Sequence, residues 1–210
     1  MRALSGGQRV SRRLLFVRAS IFGAGGQSSQ LADSFIKRFL ETHPGSKVVV
    51  RDVQSPALPH LDAATFVAFG KPSAALTPDE IDQLRLSDEL IGELEAATDL
   101  LIGMPLYNFG VPSAFKAWID HVTRAQRTFR VGARGAEGML GHIGRCWVIA
   151  ARGGQYQGTP RENQVPYLTT MLGFLGIPPP KFIFAEAMLR PDLRDDSLAK
   201  ARDAIEQLDL

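Results

Sequence analysis

The sequence has few of the features that would place it in several large classes of protein. It has one cysteine among 210 residues, so we expect neither a disulfide framework nor a cysteine-rich metal site. Its 24 basic residues nearly balance its 22 acidic residues, and they form no long basic run, which argues against a nucleic-acid partner. No window approaches the roughly 18 consecutive apolar residues of a membrane span. These absences leave a globular domain without a membrane or metal requirement.

The first 13 residues contain four arginines but lack the apolar segment of a secretory signal. We interpret residues 1–13 as a flexible extension, or as the product of a translation start placed too early, and residues 14–210 as a single domain. Cys146 lies inside an apolar run and is predicted to be a buried core residue rather than a nucleophile. Low cysteine use without a signal indicates a cytoplasmic protein.

Short apolar runs alternate along the chain with segments of helical periodicity. The runs are residues 14–18, 47–51, 99–103, 145–150 and 181–185, and the alternation predicts five strands and five helices. Because the runs are apolar almost throughout, both faces of each strand should be covered, as in a parallel sheet between two helical layers. The pattern predicts a doubly wound α/β domain.

Two connections are longer than usual, at about residues 53–76 and 124–144. The first carries Phe66, Val67 and Phe69, which suggest one exposed helical turn, and the second is predicted to form a β-hairpin with a glycine-rich tip. Their apolar residues need cover. A partner subunit, a ligand or the domain itself could shield them from water, and the sequence does not distinguish these three.

Residues 104–116 read Met-Pro-Leu-Tyr-Asn-Phe-Gly-Val-Pro-Ser-Ala-Phe-Lys and are the most informative segment of the chain. They follow the third predicted strand and precede a helix, so they should form a loop at the carboxyl edge of the sheet, where such folds bind ligands. Two aromatic rings close together, Tyr107 and Phe109, with an amide and two prolines suit a flat heteroaromatic ligand that is stacked and held rigidly. We interpret this ligand as a flavin.

The loop after the first strand, residues 20–29, predicts a phosphate site. Its glycines and hydroxyls let backbone amides turn toward one anion at a helix N-terminus, which we place near Ser29. There is no Gly-Lys-Ser/Thr sequence, and Gly23, Gly25 and Gly26 lack the spacing of a dinucleotide fingerprint. The loop also lacks the cysteine nucleophile of a phosphatase. A mononucleotide such as FMN remains, and a simple helix cap is the alternative.

The loop after the fourth strand, residues 150–158, contains the adjacent Gly153 and Gly154. Their amides could approach a ring edge that accumulates negative charge, as the pyrimidine end of reduced flavin does. Taken alone, this segment would be interpreted as a flexible turn. In a parallel sheet it meets the other two loops at one edge.

Together these segments resemble the FMN-dependent NADH-azoreductase family, whose members are flavodoxin-like NAD(P)H:quinone and azo-dye reductases. The resemblance runs from about Leu14 to the last helix. It is carried by Ser20, Gln27-Ser28, residues 105–109, Phe115-Lys116, Ile119-Asp120, Arg124-Ala125, residues 128–130, Glu137-Gly138 and residues 152–154. It implies a flavodoxin-like sheet of order 2-1-3-4-5, noncovalent FMN, and a homodimer with two sites at its interface.

The resemblance also assigns the residues that would contact FMN. Ser20, Gly26, Gln27 and Ser28 would hold the phosphate and its tether; Leu106, Tyr107, Asn108 and Phe109 would line the isoalloxazine; Ala151, Arg152, Gly153 and Gly154 would close its polar edge. Three positions depart from the family pattern. Gly26 and Ala151 stand where serine is usual, which removes two hydroxyls and could weaken FMN binding. Leu106 replaces methionine, which should change little.

The activity implied is a ping-pong, two-electron reduction of quinones and azo compounds by NADH or NADPH through FMN. No side chain is expected to act as a catalyst, because the cofactor carries the chemistry. Phe129 either covers the flavin, from its own or a partner subunit, or packs inside the hairpin. His121 is expected at the surface or a dimer interface. A flavodoxin-type electron carrier, or a binding module that has lost catalysis, is the alternative.

Overall fold

A computed structural model describes residues 11–133 and 135–210. Their fold is built on one five-stranded parallel sheet. Its strand order is β2-β1-β3-β6-β7, and β4 and β5 form a separate antiparallel pair. The strands are β1 (Arg13–Arg18), β2 (Lys47–Asp52), β3 (Asp99–Pro105), β4 (Phe129–Gly132), β5 (Gly135–Gly138), β6 (Arg145–Ala151) and β7 (Lys181–Ala185). The helices are α1 (Gln27–Thr42), α2 (Ala63–Phe69), α3 (Pro78–Ala96), α4 (Ser113–Val122), α5 (Gln164–Phe174) and α6 (Pro191–Glu206). Numbered along the chain, the sheet strands have the predicted order 2-1-3-4-5, so the doubly wound fold is confirmed.

The two helical layers follow from the alternation of side chains along the strands. Leu15 and Leu100 face a core cluster that includes residues of α3, α4 and α5. Leu14 and Leu101, one position away on the same strands, face a second cluster with residues of α1 and α6. Every residue of β3 is buried, as expected for a central strand covered on both faces.

Arg12 and Arg13, the last two residues of the predicted extension, contact the sheet. Arg13 is the first residue of β1, and the Arg12 carbonyl accepts a hydrogen bond from Lys47 N at 2.9 Å. Arg12 Nη1 also lies 3.0 Å from Asp99 Oδ1 at the amino end of β3. The rest of the predicted extension, residues 1–10, lies outside the described residues.

Asp99 offers a test of what this ion pair contributes to stability. Its carboxylate is fully buried and accepts from Arg12, from Arg145 Nε at 2.8 Å and from Thr98 Oγ1 at 2.7 Å. Asp99→Asn should lower the free energy of unfolding by about 1.5–2 kcal/mol in urea titrations, because charge-assisted bonds are lost. Asp196→Asn, in the exposed pair with Lys200, is the matched control and should cost well under 1 kcal/mol. Equal losses in the two variants would contradict the prediction.

Both long connections contain the predicted elements. The first holds α2, a helix additional to the five predicted, with Phe66 and Val67 exposed on it. The second forms the predicted hairpin, in which Phe129 pairs with Gly138. Thr77 caps the N-terminus of α3 and forms a full capping box with Glu80.

His121 is buried within its own chain, which corrects its predicted place at the surface or a dimer interface. Its Nε2 donates to the carbonyl oxygen of Pro59, 3.0 Å away in the first long connection. Cys146 is buried as predicted, and burial raises the pKa of its thiol, so it is not a nucleophile at neutral pH. Across the described residues, no helix combines the length and apolarity needed to cross a membrane.

Candidate functional site

The carboxyl ends of β1, β3 and β6 bring the three predicted loops together. Ala19 N donates to Gly103 O at 3.1 Å, and Leu106 N donates to Ala151 O at 3.0 Å, so each loop leaves the sheet beside its neighbour. A cavity of about 270 Å³ lies between them. Its lining includes these predicted residues: Ser20, Gly26, Gln27, Ser28, Leu106, Tyr107, Ala151, Arg152 and Gly153.

The first loop, residues 20–28, is the predicted phosphate site and is called the phosphate cradle below. The helix α1 begins at Gln27, two residues before the predicted start, so the amides of Gln27 and Ser28 belong to its first turn. First-turn amides have no acceptor inside a helix, and the helix dipole gives them added positive character. Ser28 Oγ is buried and has no hydrogen-bond partner among the described residues. These donors meet at a place suited to an anion.

Gly26 is required in the cradle for space rather than for its backbone angles. Its φ of −69° and ψ of 146° are open to any residue. A Cβ at this position, however, would lie 2.2 Å from Ser20 Oγ and 2.7 Å from Ser20 Cβ. Glycine in place of the family's usual serine at position 26 is therefore consistent with the close packing against Ser20.

The second loop, residues 105–110, is called the ring loop below. Tyr107 N and Gly110 N each donate to the other's carbonyl, at 3.3 and 2.9 Å, which closes a two-residue turn. Its central residues, Asn108 and Phe109, have φ of 50° and 61°. Asparagine tolerates this left-handed region, whereas it is unfavourable for phenylalanine. Such strain persists only where neighbouring groups hold the backbone.

A second, larger cavity of about 1000 Å³ shares Leu106 and Tyr107 with the first. Asn108, Lys116 and Tyr167 also line it. Burial, with a smaller contribution from Asp120, raises the pKa of Tyr167 to about 12, so its phenol stays protonated at neutral pH. This cavity is large enough for a flat organic molecule beside the first cavity.

The third loop is held by Arg152, whose Nη1 is engaged by two carboxylates, whereas its buried Nε and Nη2 have no hydrogen-bond partner among the described residues. The side chain is fully buried, and Nη1 pairs with Glu162 and, at 3.2 Å, with Glu186. Glu186 Oε1 also accepts from Tyr156 N at 2.8 Å. Arg152 thus lines the cavity while serving as the centre of a charge cluster.

Three predicted residues lie apart from the two cavities. Phe109 and Gly154 belong to the expected loops but line neither cavity. The Phe109 ring packs edge-on against Tyr156, 5.6 Å away, and that tyrosine fills the space beside Gly154. Phe129 packs against Phe174 of its own chain at 4.9 Å. Its contact with a flavin stays a prediction.

Sequence reasoning missed Glu162, Gln164, Glu186 and Leu189. Leu189 lines the smaller cavity and contacts Gly153, and its side chain is largely exposed. None of the four belongs to a recognisable motif. Only the position of Glu186 directly after the last strand of the sheet could have drawn attention to it. Within residues 11–133 and 135–210, no cluster of three His, Cys, Asp or Glu side chains could hold a metal.

Comparison with known proteins agrees with this geometry, first at the level of the fold. The family described as having a flavodoxin-like fold matches residues 12–208. The crystal structure of an azoreductase from Bacillus anthracis superposes with a TM-score of 0.83 at 26% identity, covering 94% of this chain and 100% of that one.

Relatives identified by sequence similarity indicate the family more specifically than the fold does. The FMN-dependent NADH:quinone oxidoreductase of Paraburkholderia phymatum is 43% identical over 193 residues, which cover 91% of this chain and 97% of that protein. The FMN-dependent NADH:quinone oxidoreductase 6 of Burkholderia lata is 42% identical with the same coverage. The chain therefore belongs to the flavodoxin-like family of FMN-dependent NADH:quinone oxidoreductases.

Proposed function

We propose that this protein is an FMN-dependent oxidoreductase that uses NADH to reduce quinones and azo compounds. Relatives more than 40% identical carry the first of these activities in their names, and a structural relative is an azoreductase. The observation in this chain that carries the proposal is the buried, unpartnered hydroxyl of Ser28 beside the first amides of α1. A phosphate monoester is the ligand that such a cradle fits best.

The residues present fit FMN. Ser20, Gln27 and Ser28 would hold its phosphate, with Gly26 leaving room for the side chain of Ser20. Leu106 and Tyr107 would contact the isoalloxazine, as would the more distant Asn108 and Phe109 of the ring loop. The backbone at Ala151, Arg152, Gly153 and Gly154 would border its polar edge.

Bound FMN would supply the redox chemistry, because it can accept a hydride from NADH and pass it to a quinone. The chain itself would position the flavin and stabilise the charge that develops on it. The ring loop fixes the plane of the flavin, and backbone amides near Gly153 would stabilise negative charge at its edge. The larger cavity, lined by Tyr107, Asn108 and Lys116, would receive the nicotinamide and then the acceptor. No side-chain nucleophile is required.

The assembly and location form part of the same proposal. We propose a cytoplasmic homodimer in which Phe129 of one subunit approaches the site of the other. Exposed Phe66 and Val67, on α2, support a further contact surface because large apolar side chains are costly to leave in water. Whether NADPH also serves is a question for the same assay.

The test is anaerobic reduction of the purified protein loaded with FMN. We expect the yellow colour to bleach on addition of NADH and to return on addition of benzoquinone. A protein that cannot be loaded with FMN would overturn the proposal. Bleaching without return of colour on quinone, together with rapid electron exchange with a carrier protein, would instead favour the flavodoxin-type carrier.

Ser28→Ala tests the phosphate cradle directly. We expect its FMN dissociation constant to rise about tenfold, because a hydrogen bond to a charged group is lost. Riboflavin, which has no phosphate, should bind Ser28→Ala as well as it binds the unaltered chain. The unfolding temperature of the apoprotein should not fall, since the hydroxyl has no partner to lose. If Ser28→Ala lost affinity for FMN and for riboflavin to the same extent, Ser28 would not be a contact of the phosphate.

A further inference from the structure

Gln164 joins the two ends of the ring loop. It is the first residue of α5 and has 1% of its surface exposed. Its Nε2 donates to the carbonyl oxygens of Pro105, at 2.8 Å, and of Gly110, at 3.2 Å. Those two carbonyls flank residues 106–109, the predicted contacts of the flavin ring.

The orientation of the Gln164 amide is fixed by its partners. Both groups that it meets are acceptors, and only the NH₂ end of a carboxamide can donate to two acceptors at once. The other end, Oε1, is buried and unpartnered within the described part of the chain. Burying an unpaired carbonyl oxygen costs free energy. An apolar residue would fill the same place without that cost, so packing alone does not account for a glutamine here.

The ring loop needs external support because its turn is strained. Asn108 and Phe109 both have positive φ. The carbonyl oxygen of Gly110 accepts from Tyr107 N, which closes the turn, and also from Gln164 Nε2, which ties the turn to α5. Asn163 adds a weaker contact, with Nδ2 3.4 Å from Phe109 O.

Gln164 is itself held by the charge cluster of the third loop. Glu162 Oε1 accepts from the backbone amides of Gln164 and Val165, at 3.0 and 3.1 Å. The other oxygen of Glu162 pairs with buried Arg152. The support therefore runs without a break from the loop after β6, through the start of α5, to the loop after β3.

We propose that Gln164 is a positioning residue that holds the ring loop in the conformation that binds the flavin. It contacts the loop backbone rather than the reacting atoms. The inference rests on the proposed function for the identity of the ligand, but the effect on the loop can be measured without any ligand.

The test compares Gln164→Met with Met171→Ala in the full-length apoprotein. Gln164→Met keeps the length of the side chain and removes both donors. Met171→Ala, seven residues further along the same helix, removes packing against the core. We expect the hydrogen-exchange protection of the Tyr107 and Gly110 amides, measured by NMR, to fall about tenfold or more in Gln164→Met. In Met171→Ala it should fall by no more than global stability falls.

Two further measurements complete the test. The FMN dissociation constant should rise about tenfold in Gln164→Met and stay within twofold in Met171→Ala. In Gln164→Glu, a carboxylate would face two carbonyl oxygens at neutral pH, whereas its protonated form can donate to one. The protection of the loop should therefore recover in Gln164→Glu as the pH falls, and it should not recover in Gln164→Met.

The outcomes separate this inference from the proposed function. Unchanged amide protection in Gln164→Met overturns the positioning role, whatever the protein binds. Protection that falls equally in both variants also overturns it, because the effect would then be general destabilisation. Failure of the unaltered chain to bind FMN overturns the proposed function, while the exchange data still decide whether Gln164 holds the loop.

Discussion

Arg152→Met should lower the free energy of unfolding by about 3–5 kcal/mol in urea titrations. Methionine fills much of the same volume, but it leaves Glu162 and Glu186 facing each other without their common cation. The loss should reach the site, because these carboxylates organise the backbone at Tyr156 and at the start of α5. The affinity of Arg152→Met for FMN should therefore fall together with its free energy of unfolding.

Two controls isolate the cause of that loss. Arg190→Met breaks an exposed pair with Asp192 and should change stability by less than about 1 kcal/mol. Glu162→Gln and Glu186→Gln, introduced together into Arg152→Met, should restore a large part of the lost stability by removing the uncompensated charges. If the triple variant is no more stable than Arg152→Met, the charge cluster is not the source of the effect.

Gly26→Ala should weaken FMN binding by about 10- to 100-fold. The added Cβ cannot be accommodated unless Ser20 or the start of α1 moves, and overpacking of this kind costs about 1–3 kcal/mol. Either movement displaces the donors of the phosphate cradle. Titration of the apoprotein with FMN, followed by quenching of flavin fluorescence, measures the change.

Gly25→Ala is the matched control for this prediction. A Cβ on Gly25 would meet nothing within 4 Å, although the residue is the direct neighbour of Gly26. Its FMN dissociation constant should stay within about threefold of that of the unaltered chain. Comparable losses at both glycines would indicate that loop flexibility, rather than the contact with Ser20, sets the affinity.

The strands and the convergence of the loops were predictable because their signals are local. The apolar run at residues 99–103 marks a strand buried on both faces, and Thr77 with Pro78 marks a helix start within a few residues. In a parallel sheet, the order of the strands then places residues 20–28 and the ring loop at one edge. Nine of the predicted contacts line the smaller cavity for this reason.

The features that were not predicted depend on partners distant in sequence. Arg152 has the residue type expected of an anion ligand, but Glu186, which neutralises it, is 34 positions away. His121 is covered by Pro59 of the long first connection, which lies 62 positions away in the sequence. Arg12 lies in a polar segment without periodicity, and only the fold brings it to Asp99. Local patterns carry no information about such contacts.

The buried hydroxyl of Ser28 also bears on the lifetime of the protein in the cell. An unpaired polar group destabilises the empty fold, and a ligand that satisfies it binds the folded chain but not the unfolded one. At a ligand concentration of 100 times the dissociation constant, such linkage adds about 2.7 kcal/mol to folding stability. Because proteases act on unfolded chains, the supply of cofactor would set the abundance of the protein as well as its colour.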